Sequence, residues 1–96
     1  MYKLKNKVKN IPFREWINNK EVHVFKYDHK MLAINGICPH FGGELSFDSK
    51  SKKITCSFHS LTFCPLTLLS NHNKYKKIHS YKIFVENENI FLKDEV

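Results

Sequence analysis

The stretch Cys38–Cys64, CPHFGGELSFDSKSKKITCSFHSLTFC, decides how this chain is read. It contains two short boxes, Cys38-Pro39-His40 and, after 15 intervening residues, Cys56-Ser57-Phe58-His59. Each box offers one thiolate and one imidazole. Both donors suit iron as well as zinc, so donor chemistry alone indicates a metal without choosing one. The cysteine count narrows the choice. An iron–sulfur centre held only by cysteine needs four thiolates, and this chain has three, Cys38, Cys56 and Cys64. A zinc-stabilised module remains open on donor type, although zinc sites usually pair like with like at C-x2–4-C and H-x3–5-H spacings.

The two boxes and their spacing resemble the signature of the Rieske family, Cys-x-His followed by Cys-x-x-His, and the likeness extends over residues 20 to 93. Pro39, Gly42 and Leu45 match the surroundings of the first box. Phe63 and Thr67 match the Phe and Thr of the family's F-D-x-x-T-G tail, and the run Ile78–Ile83 matches its closing L-x-x-Y-x-V segment. Four positions depart from the pattern: Ser57 replaces Pro, Ser60 replaces Gly, and Cys64 and Leu68 replace the Asp and Gly of the tail. None of them is a ligand position. The resemblance implies one [2Fe-2S] cluster per chain, with Cys38 and Cys56 on one iron and His40 and His59 on the other. It also implies an all-β fold, a Rieske-type antiparallel β-sandwich with a two-loop cluster-binding subdomain at about residues 36–66.

Histidine ligation has an electrostatic consequence. A ferric pair with two sulfides carries +2, which two thiolates and two neutral imidazoles bring to zero, whereas four thiolates would bring it to −2. A neutral site takes up an electron more readily, so potentials rise from about −400 mV into a range of about −150 to +300 mV. High-potential members of the family add a disulfide between the two loops, with a Ser and a Tyr that donate hydrogen bonds. The corresponding positions here are Gly43 and Phe58 for the disulfide, Leu61 for the Ser and Phe63 for the Tyr. None of these side chains can play that part, so a low potential is expected, with Ser60 and Thr62 as the remaining candidate donors. The ligand imidazoles also imply a potential that falls with rising pH in the alkaline range.

The rest of the chain sets the bounds. Ninety-six residues make a single domain, 1–96, small enough for a cluster that ties two loops together to stabilise it materially. No apolar run approaches 20 residues, and the basic N-terminus MYKLKNKVKN leads into no apolar segment of a secretory signal, so a cytoplasmic protein away from membranes is expected. The formal charge is +7, but Arg14 is the one arginine beside fifteen lysines. Nucleic-acid surfaces favour the arginine fork, so the lysines read as a general bias that attracts acidic redox partners rather than as a nucleic-acid site.

Along the chain, residues 2 to 9 alternate lysine with Tyr2, Leu4 and Val8, as an edge strand does. Phe13, Trp16 and Ile17 fall at i, i+3, i+4, which allows a helical turn or an anchored loop, with Trp16 in the core. Glu21–Tyr27 and Met31–Ile37 read as a hairpin delivering the chain into Cys38, and Asp48–Lys53 as a polar turn before a strand into Cys56. Tyr81–Val85 and Ile90–Leu92 read as the last hairpin, with Tyr81, Ile83 and Val85 on one face. Cys64 reads as a small buried apolar side chain, and His23, His29, His72 and His79 as surface or core-edge residues.

These features imply an electron-transfer protein rather than an enzyme, since no residues remain for the separate iron domain of an oxygenase. The first expectation is a monomeric ferredoxin passing single electrons from a reductase to an acceptor such as an oxygenase. The alternatives are a subunit permanently assembled with its oxygenase, or the zinc module.

Overall fold

Two-residue turns built on asparagine and aspartate organise the backbone of the computed structural model, which describes residues 2–39, 42–57, 61–71 and 77–93. Among the described residues the strands are β1 (Tyr2–Lys7), β2 (Phe13–Ile17), β3 (Lys20–Tyr27), β4 (Lys30–Asn35), β5 (Leu45–Asp48), β6 (Lys53–Cys56), β7 (Thr62–Phe63), β8 (Ser80–Tyr81), β9 (Ile83–Glu86) and β10 (Asn89–Leu92). Asn18 and Asn19, with φ of 50° and 64°, turn β2 into β3, and Asn87 and Glu88, at 52° and 69°, turn β9 into β10. Both central residues in the left-handed region is the primed turn whose twist matches an antiparallel pair.

The strands form three antiparallel sheets, ordered β2-β3-β4-β8, β1-β10-β9 and β5-β6-β7. The four-stranded sheet is central. On one of its faces Ile17, Val22, Val24, Ala33 and Tyr81 pack with Leu4, Ile90 and Leu92 of the β1-β10-β9 sheet. Its other face presents Phe25 and Ile34 to a second core with Leu45, Ile54, Leu61, Phe63, Leu68 and Ile78. Residues paired across β3 and β4 share a face, so the alternation of one hairpin serves both cores. The all-β expectation and the antiparallel sandwich with its two-loop subdomain hold.

Four local expectations do not. Residues 13–17 form strand β2 rather than a helical turn, paired with β3 from Phe13↔Val24 to Ile17↔Lys20. Glu15 occupies a core-facing position of that strand and hides its alternation. Its buried carboxylate accepts from the backbone N–H groups of Lys5 (3.1 and 2.9 Å) and Asn6 (3.1 Å), and from Asn6 Nδ2 at 3.0 Å. These amides lie where the β1–β10 register shifts between Lys3 and Lys7, so the carboxylate replaces ladder partners lost at the bulge. Trp16 is 66% exposed and not part of the core. Tyr81 is separated from Ile83 and Val85 by a break at Lys82 and pairs with Ala33 in the central sheet, leaving Val85 on the surface. Cys64 is exposed.

Candidate metal centre

β4 ends at Asn35, and three residues later the chain reaches Cys38. Its path is fixed on both sides. The Gly36 N–H donates to the Glu21 carbonyl at 2.8 Å, while the Gly36 carbonyl accepts from Leu45 N–H at 2.9 Å. The Ile37 N–H is held by Asn35 Oδ1 at 3.0 Å. Cys38 then opens a loop closed by two main-chain bonds, Cys38 N–H to Gly43 O at 2.7 Å and Gly42 N–H to Cys38 O at 3.0 Å. Gly42 has φ of +72°, a conformation that a side chain at this position would strain.

The second loop is built alike. β6 ends at Cys56, whose N–H donates to the Leu61 carbonyl at 2.8 Å. In each loop the cysteine stands at the base and its N–H closes onto the residue five positions later. The two bases are neighbours, since Leu45 pairs with Cys56 across β5 and β6. They are also tied directly, by Ser57 N–H to Glu44 O and Glu44 N–H to Ser57 Oγ, both at 3.0 Å. Proline, which the family's pattern has at position 57, could make neither bond, so this departure adds a two-way link between the loops.

Cys38 and Cys56 are 2% and 6% exposed, belong to the same core and form no disulfide. Two buried thiols at equivalent positions of adjacent, backbone-closed loops fit the sulfur end of a cluster. His40 and His59, the expected nitrogen donors, lie outside the described residues, as do Phe58, Ser60 and His72. Among the described residues no group of three or more His, Cys, Asp or Glu side chains gathers elsewhere as a competing site.

The remaining sequence candidates resolve as follows. Gly43, Leu61 and Phe63 are buried in the loop region and offer no side-chain donor, as expected. Thr62 sits in β7, where its N–H meets Asn71 Oδ1 at 3.3 Å. Cys64 is exposed in the turn after β7, where the nearby Thr67 and Leu66 N–H groups and the Thr67 hydroxyl favour its thiolate and lower its pKa. The turn itself is closed by the main chain, Leu68 N–H to Cys64 O at 2.7 Å. Leu68, where the tail pattern has Gly, holds φ of 63° while its side chain stays buried in the core. His23 is buried, its Nδ1–H donating to the Phe13 carbonyl at 3.1 Å, and burial above all lowers its pKa from the ordinary 6.5. His29 and His79 are surface residues.

Sequence reasoning missed the Arg14–Glu21 pair, at 2.7 Å, which lies beside the approach to Cys38. Its signal was present: in a chain that otherwise uses lysine, a lone arginine marks a place that needs a planar fork.

Comparison with known proteins agrees with this geometry. The family model for the Rieske [2Fe-2S] domain matches residues 3–82. Among curated proteins none matches the sequence. The fold is similar to the ferredoxin of carbazole 1,9a-dioxygenase from Nocardioides aromaticivorans IC177, with a TM-score of 0.76 and 17% identity, over 99% of this chain and 100% of that one. It is also similar to the plasma membrane Rieske protein of the cyanobacterium Synechocystis PCC 6803, with a TM-score of 0.71 and 19% identity, over 84% of each chain. A carbazole-bound oxygenase–ferredoxin complex of carbazole 1,9a-dioxygenase contains a chain matched with a TM-score of 0.77 and 19% identity, over 95% of this chain and 27% of that one. At these identities the structures establish the fold, and the family model over most of the sequence establishes membership: the chain belongs to the Rieske [2Fe-2S] domain family.

Proposed function

We propose that this protein is a Rieske-type ferredoxin, a single-electron carrier between a reductase and an acceptor such as an oxygenase. Cys38 and Cys56 would hold one iron of a single [2Fe-2S] cluster, and His40 and His59 the other. The observation that carries the reading is the pair of buried thiols at matching positions of two interlocked loops. When bound, the cluster would supply a site that gains and loses one electron. The chain's own residues do the rest. Main-chain bonds hold the thiols in place, the core around Phe63, Leu61 and Ile54 keeps water from their inner side, and the lysine-rich surface attracts acidic partners. Leu61 and Phe63 place no donor beside the sulfurs, which favours the low end of the histidine-ligated range.

The likeness to a ferredoxin matched over the whole of its chain supports a carrier. The match to part of a longer chain supports a second reading, a Rieske subunit assembled with its oxygenase. The cysteines form no disulfide, which suits a reducing compartment, and no helix among the described residues is long and apolar enough to cross a membrane.

Counting iron and acid-labile sulfide, with absorption and electron-spin spectra of the reduced protein, tests the reading. Two irons and two sulfides per chain with a paramagnetic reduced state are expected, together with a midpoint below zero. A colourless protein binding one zinc would overturn it. Isolation from its own cells as a monomer favours the carrier, and co-isolation with an oxygenase favours the subunit.

A further inference from the structure

Arg14 rises from β2 on the face of the central sheet that carries the two loops. Its Nε and Nη2 both donate to Oε1 of Glu21, at 2.9 and 2.7 Å. Nη2 also reaches the carbonyl of Gly36 at 3.3 Å, and Nη1 reaches Ser46 Oγ at 3.4 Å. Glu44 Oε2 stands 3.9 Å from Nε. The pair is largely withdrawn from solvent, with side-chain exposures of 25% for Arg14 and 12% for Glu21.

The contacted groups are the ones that set the loops. Gly36 is two residues before Cys38, Ser46 lies in β5, and Glu44 is bonded in both directions to Ser57, the neighbour of Cys56. Residue 36 must also be small. A β-carbon there would come within 2.8 Å of both Arg14 Nη2 and Glu21 Oε1. Lysine could neutralise Glu21 but could not reach a carbonyl, a hydroxyl and a carboxylate from one planar group.

We propose that Arg14, backed by Glu21 and admitted by Gly36, is a positioning residue that locks the first loop onto the central sheet and thereby sets how firmly Cys38 and Cys56 retain the cluster. The proposal rests on the cluster reading above.

Three variants separate this role from plain stabilisation. Gly36→Ala pushes on the tips of two flexible side chains, so the fold should survive while the fork is displaced. Arg14→Lys keeps the charge and loses the fork. Arg14→Met with Glu21→Met removes both charges together, which avoids leaving one buried and unpaired. In each, release of the cluster to a chelator should quicken by about tenfold or more, as when outer partners of metal ligands are lost. The reduced-state electron-spin signal should broaden, while the thermal midpoint of Gly36→Ala and of the double variant stays near that of the parent. Release rates that match the parent, or that simply follow the thermal midpoint across all three, would overturn the proposal.

Amide exchange in the metal-free chain provides an independent readout. The N–H groups of Cys38, Gly42 and Ser57 should exchange faster in Gly36→Ala than in the parent. A parent that binds no iron would defeat the cluster reading, and unchanged exchange at those amides would defeat the lock, so the two failures are distinguishable.

Discussion

The two cores differ in how they are assembled. The one between the central sheet and β1-β10-β9 is drawn from strands on both sides and is mostly aliphatic, with buried Tyr81 and partly buried Phe13 as its aromatic members. The one beneath the loops contains both buried thiols, and its sheet is small, with strands of four, four and two residues. Three strands of that length bury too little to stand alone. Their core is completed by Phe25 and Ile34 from the central sheet and by Ile78 from the segment before β8. Phe25 also stacks on Phe47 of β5, with centroids 4.7 Å apart at 9°, and Tyr27 meets the same ring edge-on at 6.1 Å. The loop-bearing half is therefore a cap whose order depends on the base, whereas the base core is self-sufficient. Such a cap is the part expected to open first.

The sharpest way to break this contrast is Phe25→Ala, which removes the central sheet's largest contribution to the cap. It should cost about 3–5 kcal/mol in urea unfolding and, in the metal-free protein, expose Cys38 and Cys56 to a thiol reagent before global unfolding. Leu92→Ala should also destabilise, by about 2–5 kcal/mol, but thiol exposure should then coincide with global unfolding. Equal behaviour of the two variants would mean that cap and base open as one unit.

Glu15→Ala probes the base alone. It would strip the acceptor from the Lys5 and Asn6 amides at the β1 bulge, at a cost of about 2–3 kcal/mol. Amide exchange should quicken along β1 and leave the cap unaffected. Protection lost at Ser57 or Cys56 would show that the two halves are more tightly coupled than described.

The smallest effect concerns the seam between them. His23 lies on the cap side of the central sheet. Burial, foremost, lowers its pKa, the Phe13 carbonyl and Glu21 and Glu44 oppose that shift, and Arg14 adds to it. The folded state therefore binds this proton less readily than the unfolded chain. The corresponding stability is fully present above the ordinary 6.5 and is lost as the pH falls through the lower folded value. The thermal midpoint of the parent should drop more between about pH 7 and about pH 5 than that of His23→Gln, whose side chain does not titrate. Parallel curves would remove His23 from the account of acid sensitivity.

Much of this was legible in the sequence, for reasons that can be named. Runs of β-branched and aromatic residues revealed the β3–β4 hairpin, which is buried on both faces, and alternation revealed β1, whose inward position holds Leu4. The spacing of the two boxes singled out Cys38 and Cys56, which the fold brings together as buried thiols at the bases of adjacent loops, while His40 and His59 lie outside the described residues. β2 was hidden because one of its inward positions is Glu15, a carboxylate that serves as a hydrogen-bond acceptor for another strand. Trp16 misled because hydrophobicity does not report which face of an edge strand meets solvent. The break at Lys82 was invisible because Tyr81, Ile83 and Val85 keep their period while the chain passes from one sheet to another. Cys64 looked like a buried apolar residue, yet it lies exposed in the turn after β7, a placement that residue type does not report.

Three of the bonds that shut the two loops join one peptide unit to another and use no side chain: Cys38 to Gly43, Gly42 to Cys38 and Cys56 to Leu61. Every residue type except proline brings the N–H and carbonyl that such bonds need, so change in the intervening side chains leaves those three bonds largely untouched. This accounts physically for a shared architecture at 17% and 19% identity. It also leaves the loop side chains free to vary without disturbing the two buried thiols at the loop bases.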